Sequence, residues 1–333
     1  MGTGTGHVAE VTYKDILEAY ERISPYIKRT PIETSRTFSD MSGYKVYMKL
    51  ENLQKTGAFK IRGALNKVLS LSDEEIRRGI IACSAGNHAQ GVAYSARLRG
   101  AKAVIVMPEG TPKPKVNATR NYGAEVILHG KVFDEALEYT MKLIEEKGYV
   151  FVHPFDDPKV IAGQGTIAIE ILQDLKDFDA IVVPIGGGGL ISGIAIAIKA
   201  INPKIKVIGV QSKGAPSMKL SVEKGHVIEL ETINTIAEGI AVRRPGELTF
   251  KIISELVDDI VLVSDDDLKD TIYLLLTRNK LVGEPAGVAG LAAILFADLG
   301  IPKGAKIITL ISGGNIGMDL LLNIIQTRSE KYN

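Results

Sequence analysis

The alternation of short apolar runs with longer helical patterns, from about residue 44 onward, most constrains what this chain can fold into. The apolar runs are rich in Val and Ile and are mostly continuous, which is typical of strands buried on both faces of a sheet. Because helical stretches separate them, the sequence predicts right-handed βαβ units and parallel sheets, an α/β fold. The predicted strands are 45–50, 79–83, 103–107, 125–128, 180–185, 206–210 and 306–311.

Helical patterns lie between these strands. One of the last begins at Asp265, Asp266 and Asp267, whose carboxylates suit the positive N-terminal end of a helix. No repeat and no linker rich in Pro, Gly or Ser divides the chain, which leaves open that one domain is inserted into another. The predicted helices are 87–98, 132–147, 158–175, 191–200, 266–279 and 285–297.

Length, charge and cysteine content narrow the class of protein. The chain has 333 residues, a length typical of about two domains. Its 40 Lys and Arg against 39 Asp and Glu argue against nucleic acid or an anionic membrane as partner. The single cysteine, Cys83, excludes an internal disulfide and a cysteine-based metal cluster. Residues 1–10 show no apolar secretion signal, so we expect a cytoplasmic enzyme.

A glycine-rich turn joins the predicted strand 180–185 to the helix after it. Without Cβ atoms, its backbone N–H groups can approach a ligand closely, and the helix N-terminus adds partial positive charge. This arrangement predicts an anion site, above all for phosphate. A dinucleotide motif fits less well, because Ile191 stands where G-x-G-x-x-G needs its third glycine and no acidic residue ends the next strand. The turn consists of Gly186, Gly187, Gly188, Gly189 and Leu190.

Lys60 stands at the start of a helical run, between Phe59 and Ile61. A lysine held partly dry there would have a lowered pKa, as Schiff-base chemistry requires. Taken alone, however, the segment fits a solvated surface lysine better.

Two further turns follow predicted strands. In residues 84–90, Ser84 and Asn87 are residue types that cap helices, so the segment alone favours an ordinary capped turn with His88 as a structural histidine. Its successive N–H groups could also hold a carboxylate. Ser312 and Gly313 follow the strand 306–311. Turns at the carboxyl ends of parallel strands can converge on one crevice, where open α/β sheets bind ligands.

Together these segments resemble the fold-type II pyridoxal-phosphate enzymes, in the branch of threonine dehydratase, serine dehydratase and serine racemase. The similarity runs from about residue 10 to about residue 325. The matching segments, in the family's order, are LENLQ at 50–54, GAFKIRGA at 57–64, SAGNHAQGVA at 84–93, GGGGL at 186–190, EPAG at 284–287 and SGGN at 312–315.

The resemblance implies two open, mostly parallel twisted sheets flanked by helices, an architecture like that of the tryptophan synthase β subunit. Residues 1–51 and 151–333 would form the large cofactor-binding domain. Residues 52–150 would form a smaller inserted domain that carries Lys60. Pyridoxal 5'-phosphate would occupy the cleft between the two.

The resemblance also implies roles for single residues. Lys60 would form the Schiff base with the cofactor and act as general base, with Phe59 beside it. Asn87 would bind the ring hydroxyl and Ser312 would face the ring nitrogen. The other implied cofactor contacts are Gly186, Gly187, Gly188, Gly189 and Leu190 around the phosphate, with Gly313 and Glu284 near the ring. For Glu284 a structural role at a helix start fits equally well. The substrate carboxylate would bind at Ser84, Ala85, Gly86, Asn87 and His88.

The residue at 312 bears on the type of reaction. A hydroxyl can donate to an unprotonated ring nitrogen, whereas a carboxylate would keep that nitrogen protonated and the ring a stronger electron sink. The weaker sink favours a β-elimination, in which the electrons leave with the β-hydroxyl. The implied reaction converts L-threonine to 2-oxobutanoate and ammonia, and L-serine to pyruvate more weakly.

At two places the sequence differs from the racemases of the family, and these differences bear on the reaction and on metal binding. Family racemases carry a serine where this chain has Ala85, which favours dehydratase over racemase. Gln211 and Ser217 replace the carboxylates of a divalent-cation site, so we expect no tightly held magnesium there. A β-replacement synthase, a nucleotide-binding oxidoreductase and a catalytically silent sensor stay as other readings.

The remaining expectations concern assembly and pathway. The chain ends at Asn333, as in the short catabolic dehydratases or in a trimmed longer enzyme. The resemblance implies a homodimer or homotetramer that binds a small amino-acid substrate, in threonine catabolism or isoleucine biosynthesis.

Overall fold

The computed structural model describes residues 11–332. The segment 1–10, where the sequence shows no secretion signal, and Asn333 lie outside the described residues. Within that range the strands form two sheets, one of six strands and one of four. The strands are β1 Ile32–Thr34, β2 Lys45–Leu50, β3 Ile80–Cys83, β4 Ala103–Met107, β5 Glu125–Leu128, β6 Val150–Phe151, β7 Ala180–Pro184, β8 Lys206–Ser212, β9 Asp259–Val263 and β10 Lys306–Ile311.

Helices connect the strands and cover both sheets. Three short 3-10 turns, Glu51–Leu53, Glu238–Ile240 and Ala286–Val288, and a π turn at Leu275–Asn279 supplement them. The α-helices are α1 Tyr13–Ile23, α2 Arg36–Ser42, α3 Lys60–Leu69, α4 Asp73–Arg78, α5 Asn87–Arg99, α6 Lys113–Asn121, α7 Phe133–Lys147, α8 Pro158–Asp174, α9 Gly189–Ile201, α10 Ser217–Lys224, α11 Glu247–Leu256, α12 Asp265–Leu274, α13 Ala289–Phe296 and α14 Met318–Tyr332.

The larger sheet has the order β1-β2-β10-β7-β8-β9 and is parallel except for the edge strand β1. The smaller sheet has the order β5-β4-β3-β6 and is parallel throughout. Its strands come from residues 80–151, whereas those of the larger sheet come from before and after this stretch. The predicted fold class, α/β with two mostly parallel sheets, is therefore confirmed. The sheet membership also supports the predicted domain boundaries, which stay a prediction.

Strand side chains alternate between two cores, one on each face of the larger sheet. In β7, Ala180 and Val182 pack with the core beneath α12, α13 and α14, whereas Ile181 and Val183 pack with that of α1, α8 and α9. In such a doubly covered sheet every strand position is apolar, which explains the continuous Val and Ile runs of the sequence.

Four charged side chains form a fully buried ion-pair network between β2, α3 and α8. Arg62 binds Glu51 through Nε and Nη2, each at 2.8 Å, and binds Glu170 through Nη1 and Nη2, each at 2.9 Å. Lys49 Nζ donates to Glu170 at 2.7 Å and to the carbonyl of Thr30 at 2.6 Å. We call Lys49, Glu51, Arg62 and Glu170 the paired cluster; it fixes α3 two residues beyond Lys60.

The predicted strands and most predicted helices are confirmed to within about two residues. The helix predicted over 266–279 instead ends at Leu274 and continues as the π turn, and that over 285–297 begins with a 3-10 turn. Strand β8 extends past its predicted end and includes Gln211. Strands β1, β6 and β9 were missed.

Candidate active site

Lys60 is the first residue of α3, and its amine is bound by a backbone carbonyl. Nζ donates to the oxygen of Pro154 at 2.8 Å and lies 5.4 Å from the ring centroid of Phe59. Burial lowers the pKa of Lys60 to about 8, although the Glu284 carboxylate acts in the opposite direction. Lys60 is half-buried, so the interpretation as a freely solvated lysine is wrong. Near neutral pH the amine has a larger nucleophilic fraction than a solvated lysine.

The loop before Lys60 is bonded to the turn after β10. The N–H of Phe59 donates to the carbonyl of Ser312 at 3.0 Å, and Ala58 forms a β-bridge with Gly313. Ser312 is only 4% exposed. Two of the sequence motifs, more than 250 residues apart, therefore meet at Lys60.

Asn87 and Glu284 meet beside the turn after β10. Asn87 Nδ2 donates to Glu284 Oε1 at 2.6 Å, and Asn315 Nδ2 donates to Asn87 Oδ1 at 2.8 Å. Burial raises the pKa of Glu284 to about 7, although the Asn87 hydrogen bond lowers it. A Cβ at Gly313 would lie 2.3 Å from Glu284 Oε1, so any larger residue there would have to displace the Glu284 carboxylate.

The helix α5 begins without a side-chain cap. Its N-cap residue is Gly86, and no side chain accepts a hydrogen bond from the first turn. The expectation of an ordinary capped turn is wrong for Ser84 and Asn87, because Ser84 Oγ bonds only the N–H of Gly86 and Asn87 turns to Glu284. The first N–H groups of α5 can therefore bind an anion. Ala85 lies in the same turn and is half-buried.

The side chain of His88 points away from this turn. Its Nε2 bonds the carbonyl of Val152 at 2.8 Å, and the ring is only 3% exposed. Burial, aided by the charge of Lys60, lowers the pKa of His88 to about 3. The imidazole is therefore neutral, and only the backbone of His88 is available to a carboxylate.

The glycine turn between β7 and α9 leaves no room for side chains. An added Cβ at Gly187 would lie 2.3 Å from ring atoms of Phe155, and one at Gly189 would lie 2.9 Å from the carbonyl of Phe155. Gly188 has φ +103°, a conformation that L side chains rarely adopt. Thr249 Oγ1 donates to the carbonyl of Gly187 at 2.6 Å and fixes the turn. The Leu190 side chain enters the core, so its contribution to a site is its backbone.

Residues 153–157 link these parts, and sequence analysis missed them. They follow β6 after Val152, and they supply the carbonyl that binds Lys60 and the ring that covers the glycine turn. Asp156 accepts from the N–H groups of Glu247 and Thr249, both at 3.0 Å, at the start of α11. The only local signal was Asp157 before Pro158, a helix start.

The described residues provide neither a membrane-spanning helix nor a cluster of metal-binding side chains. No helix in residues 11–332 is long and apolar enough to cross a bilayer. Over the same range, His, Cys, Asp and Glu side chains do not gather in groups of three or more that could hold a metal ion.

The geometry fits a phosphate-bearing aldehyde of the kind that the sequence resemblance implies. The glycine turn carries no side chains and stands at the N-terminus of α9, where backbone N–H groups can bind a phosphate. The Lys60 amine is bound to a carbonyl and makes no ion pair within the described residues, so it is free to react with an aldehyde.

Comparison with known proteins places the chain in a family. Residues 23–313 match the family model described as pyridoxal-phosphate dependent enzyme. An L-threonine ammonia-lyase of Thermotoga maritima is 50% identical over 315 residues, which are 95% of this chain and 78% of that protein. A catabolic L-threonine dehydratase of Escherichia coli K12 is 49% identical, over 94% of this chain and 96% of that protein.

A solved structure, that of maize serine racemase, superposes with a TM-score of 0.91 at 38% identity and covers 97% of this chain and 99% of that chain. The two chains are therefore similar in the arrangement of both sheets as well as in sequence. The chain belongs to the pyridoxal-phosphate dependent enzymes of fold type II.

Proposed function

We propose that the protein is a pyridoxal-phosphate dependent L-threonine ammonia-lyase. It would remove water from L-threonine, and more weakly from L-serine, and release 2-oxobutanoate or pyruvate with ammonia. One observation carries the substrate assignment: the 50% identity to an L-threonine ammonia-lyase extends over 95% of the chain.

Different residues of the chain would bind different parts of the cofactor. The N–H groups from Gly186 to Leu190 would bind the phosphate, with Phe155 packed on the turn. Asn87 would bind the ring hydroxyl, and Ser312 would offer a neutral hydroxyl to the ring nitrogen. Phe59, Gly313 and Glu284 would line the remaining wall.

The cofactor supplies an aldehyde that condenses with amines and a ring that withdraws electrons from the substrate's Cα. Lys60 would hold the cofactor and, once its amine is free, take the proton from Cα of the substrate. Its lowered pKa supports this role, because a general base is most effective when its pKa lies near the working pH. Breaking the Cα–H and Cβ–O bonds would form a Cα=Cβ double bond, and the proton that Lys60 takes from Cα balances the one that the hydroxide needs to leave as water. Water would then hydrolyse the released enamine to the keto acid and ammonia.

The uncapped N-terminus of α5 would orient the substrate. The backbone N–H groups from Ser84 to His88 would bind the carboxylate, since no side chain occupies them. This anchor would present the Cα proton to Lys60. The turn provides no acidic side chain, and Ala85 has no proton to give to the opposite face of Cα.

Serine racemase is the second candidate, favoured by the superposition on the maize enzyme. Ala85 argues against it, because racemisation needs a proton donor opposite the lysine. Purified holoenzyme assayed with L-threonine and L-serine for keto acid and for D-amino acid in parallel separates the two. We expect 2-oxobutanoate as the main product; D-serine in excess of pyruvate, with no 2-oxobutanoate, would contradict the proposal.

Four expectations stay predictions: the division at residues 51/52 and 150/151, a homodimer or homotetramer, a cytoplasmic location, and a place in threonine catabolism or isoleucine biosynthesis. The mixed α/β sheets support the first. The others rest on the family resemblance.

A further inference from the structure

The hydrogen bond of Lys60 depends on a backbone atom that side chains elsewhere must hold in place. The acceptor is the carbonyl oxygen of Pro154, 2.8 Å from Nζ. Because Pro154 has no N–H, the donors of its turn are the N–H groups of the next two residues. Whatever binds those donors sets the direction of the Pro154 carbonyl.

His153 binds both donors with one atom. Its Nδ1 accepts from the N–H of Phe155 at 3.2 Å and from the N–H of Asp156 at 2.7 Å. Acceptance through Nδ1 requires that the ring be neutral, with its proton on Nε2. The pattern, one acceptor for the residues two and three positions on, is the one that Asn and Asp side chains form in Asx turns.

The ring of His153 is also fixed by aromatic packing. It meets the ring of Phe151 edge-on at 5.7 Å and that of Phe155 edge-on at 4.7 Å. Phe155 in turn packs on Gly187 and Gly189. The imidazole therefore joins the acceptor of the Lys60 amine to the cover of the glycine turn.

The charged groups that face His153 leave it neutral. Burial lowers the pKa of His153 to about 4. The charges of Asp156 and Asp157 raise this pKa, and the charge of Lys60 lowers it further, but burial is the largest effect. The neighbouring His88 also stays neutral while it holds the Val152 carbonyl. Near neutral pH the Nδ1 acceptor is therefore always available.

We propose that His153 is a positioning residue, whose neutral Nδ1 holds the turn 153–156 so that the Pro154 carbonyl orients the free amine of Lys60. It touches no reacting atom itself. The effect on turnover rests on the proposed ammonia-lyase function, whereas the effect on the Lys60 amine does not.

The test compares variants that separate the acceptor from the ring. His153→Phe keeps an aromatic ring without an acceptor, His153→Leu fills similar space without either, and His153→Asn keeps an acceptor for an Asx turn. His226→Phe, at an exposed histidine, is the matched control. Folding of each is checked by circular dichroism before assay.

The first readout needs no substrate. The full-length chain, freed of cofactor with hydroxylamine, is labelled by trace acetic anhydride from pH 6 to pH 10, and Lys60 reactivity is measured by peptide mass analysis. Loss of the carbonyl acceptor removes a hydrogen bond that favours the ammonium form. We expect Lys60 reactivity at pH 7 to rise by about threefold or more in the Phe and Leu variants, and by less than about twofold in the Asn variant.

The second readout is turnover of the holoenzyme. A misplaced base costs about tenfold to 100-fold in kcat, so the Phe and Leu variants should lose this much with KM changed less than about threefold. The Asn variant should return to within about threefold of the unsubstituted protein. Unchanged labelling in the folded Phe or Leu variant, or equal damage in the Asn variant, would overturn the proposal. An unsubstituted protein without ammonia-lyase activity would refute the proposed function alone, because the labelling result stands without it.

Discussion

Two sets of buried or half-buried ionisable side chains flank the first turn of α3, and they differ in whether each charge has an ion-pair partner. In the paired cluster, burial alone would lower the pKa of Arg62, but its ion pairs with Glu51 and Glu170 raise it. Burial alone would raise the pKa of Glu51, but the charge of Arg62 lowers it. Both groups therefore stay charged near neutral pH.

In the site, burial dominates because the ionisable side chains around Lys60 form no ion pair with any described residue. It moves each pKa toward the neutral form: that of Lys60 to about 8, that of Glu284 to about 7, and those of His88 and His153 to about 3 and 4. We call these four residues the unpaired set. A few residues apart, ion pairing thus gives a rigid support on one side, whereas burial without an ion pair favours the neutral form of each group on the other.

The largest effect that this contrast predicts is on activity. Lys60→Ala removes both the group that holds the cofactor and the general base, and we expect 2-oxobutanoate release to fall by about 10³-fold or more. The free energy of unfolding should change by less than about 1 kcal/mol, because no ion pair is broken. Lys55→Ala, at an exposed lysine of the same loop, is the control. Activity above about a hundredth of the original would contradict the role of Lys60.

A substitution in the paired cluster should instead have its main effect on stability. Arg62→Met leaves the buried carboxylates of Glu51 and Glu170 without their main partner, and we expect a loss of about 3–5 kcal/mol in urea unfolding. Arg36→Met breaks an ion pair whose side chains are 94% and 72% exposed. It should cost less than about 0.5 kcal/mol. A similar loss in both variants would mean that pairing inside the protein is not what stabilises α3.

Glu284 should make stability depend on pH in the cofactor-free chain. Its folded pKa of about 7 exceeds its ordinary value of 4.5, so between these values the folded state holds a proton that the unfolded state has lost. This contribution is present below pH 4.5 and disappears as pH rises through 7. Relative to Glu284→Gln, the protein should lose up to about 3 kcal/mol between pH 5 and pH 8, measured by urea unfolding.

The exposed Glu255→Gln is the matched control for that titration and should leave the pH dependence unchanged. Parallel stability curves for the Glu284→Gln variant and the unsubstituted chain would show that Glu284 is ionised in the folded state.

The smallest effect concerns the glycine turn. Gly187→Ala puts a Cβ against the ring of Phe155, and we expect the dissociation constant of pyridoxal phosphate to rise about tenfold, measured by fluorescence titration. The double variant Gly187→Ala/Phe155→Ala removes the clash and should recover most of the affinity. Gly110→Ala, where an added Cβ meets nothing within 4 Å, is the control. Equal affinity in the Gly187→Ala variant and the unsubstituted protein would show that the turn can shift without cost.

The sequence predicted those parts of the fold in which a local pattern reflects burial on two sides. Strands β2, β4 and β10 have continuous apolar runs and were found at their observed bounds. The three residues of β1 and the two of β6 give no such pattern. Strand β9 does carry an apolar run after Asp259, so it could have been found.

The site was predicted as a set of turns, and their contacts were not. Glycine and helix-start patterns identify each turn, but the pairing of Asn87 with Glu284 joins residues 197 positions apart. The sequence did not predict the paired cluster, because charged residues such as Arg62 are ordinarily solvent-exposed. The contact of Pro154 with Lys60 could not be predicted from the sequence, because it is made by a backbone carbonyl, which every residue has.

The most direct test of the account asks where the cofactor is attached. Borohydride reduction of the holoenzyme, followed by digestion and peptide mass analysis, fixes the cofactor on the amine that bears it. We expect the retained mass to lie on Lys60 alone. Retained mass on another lysine, or none on any lysine of an active preparation, would contradict it.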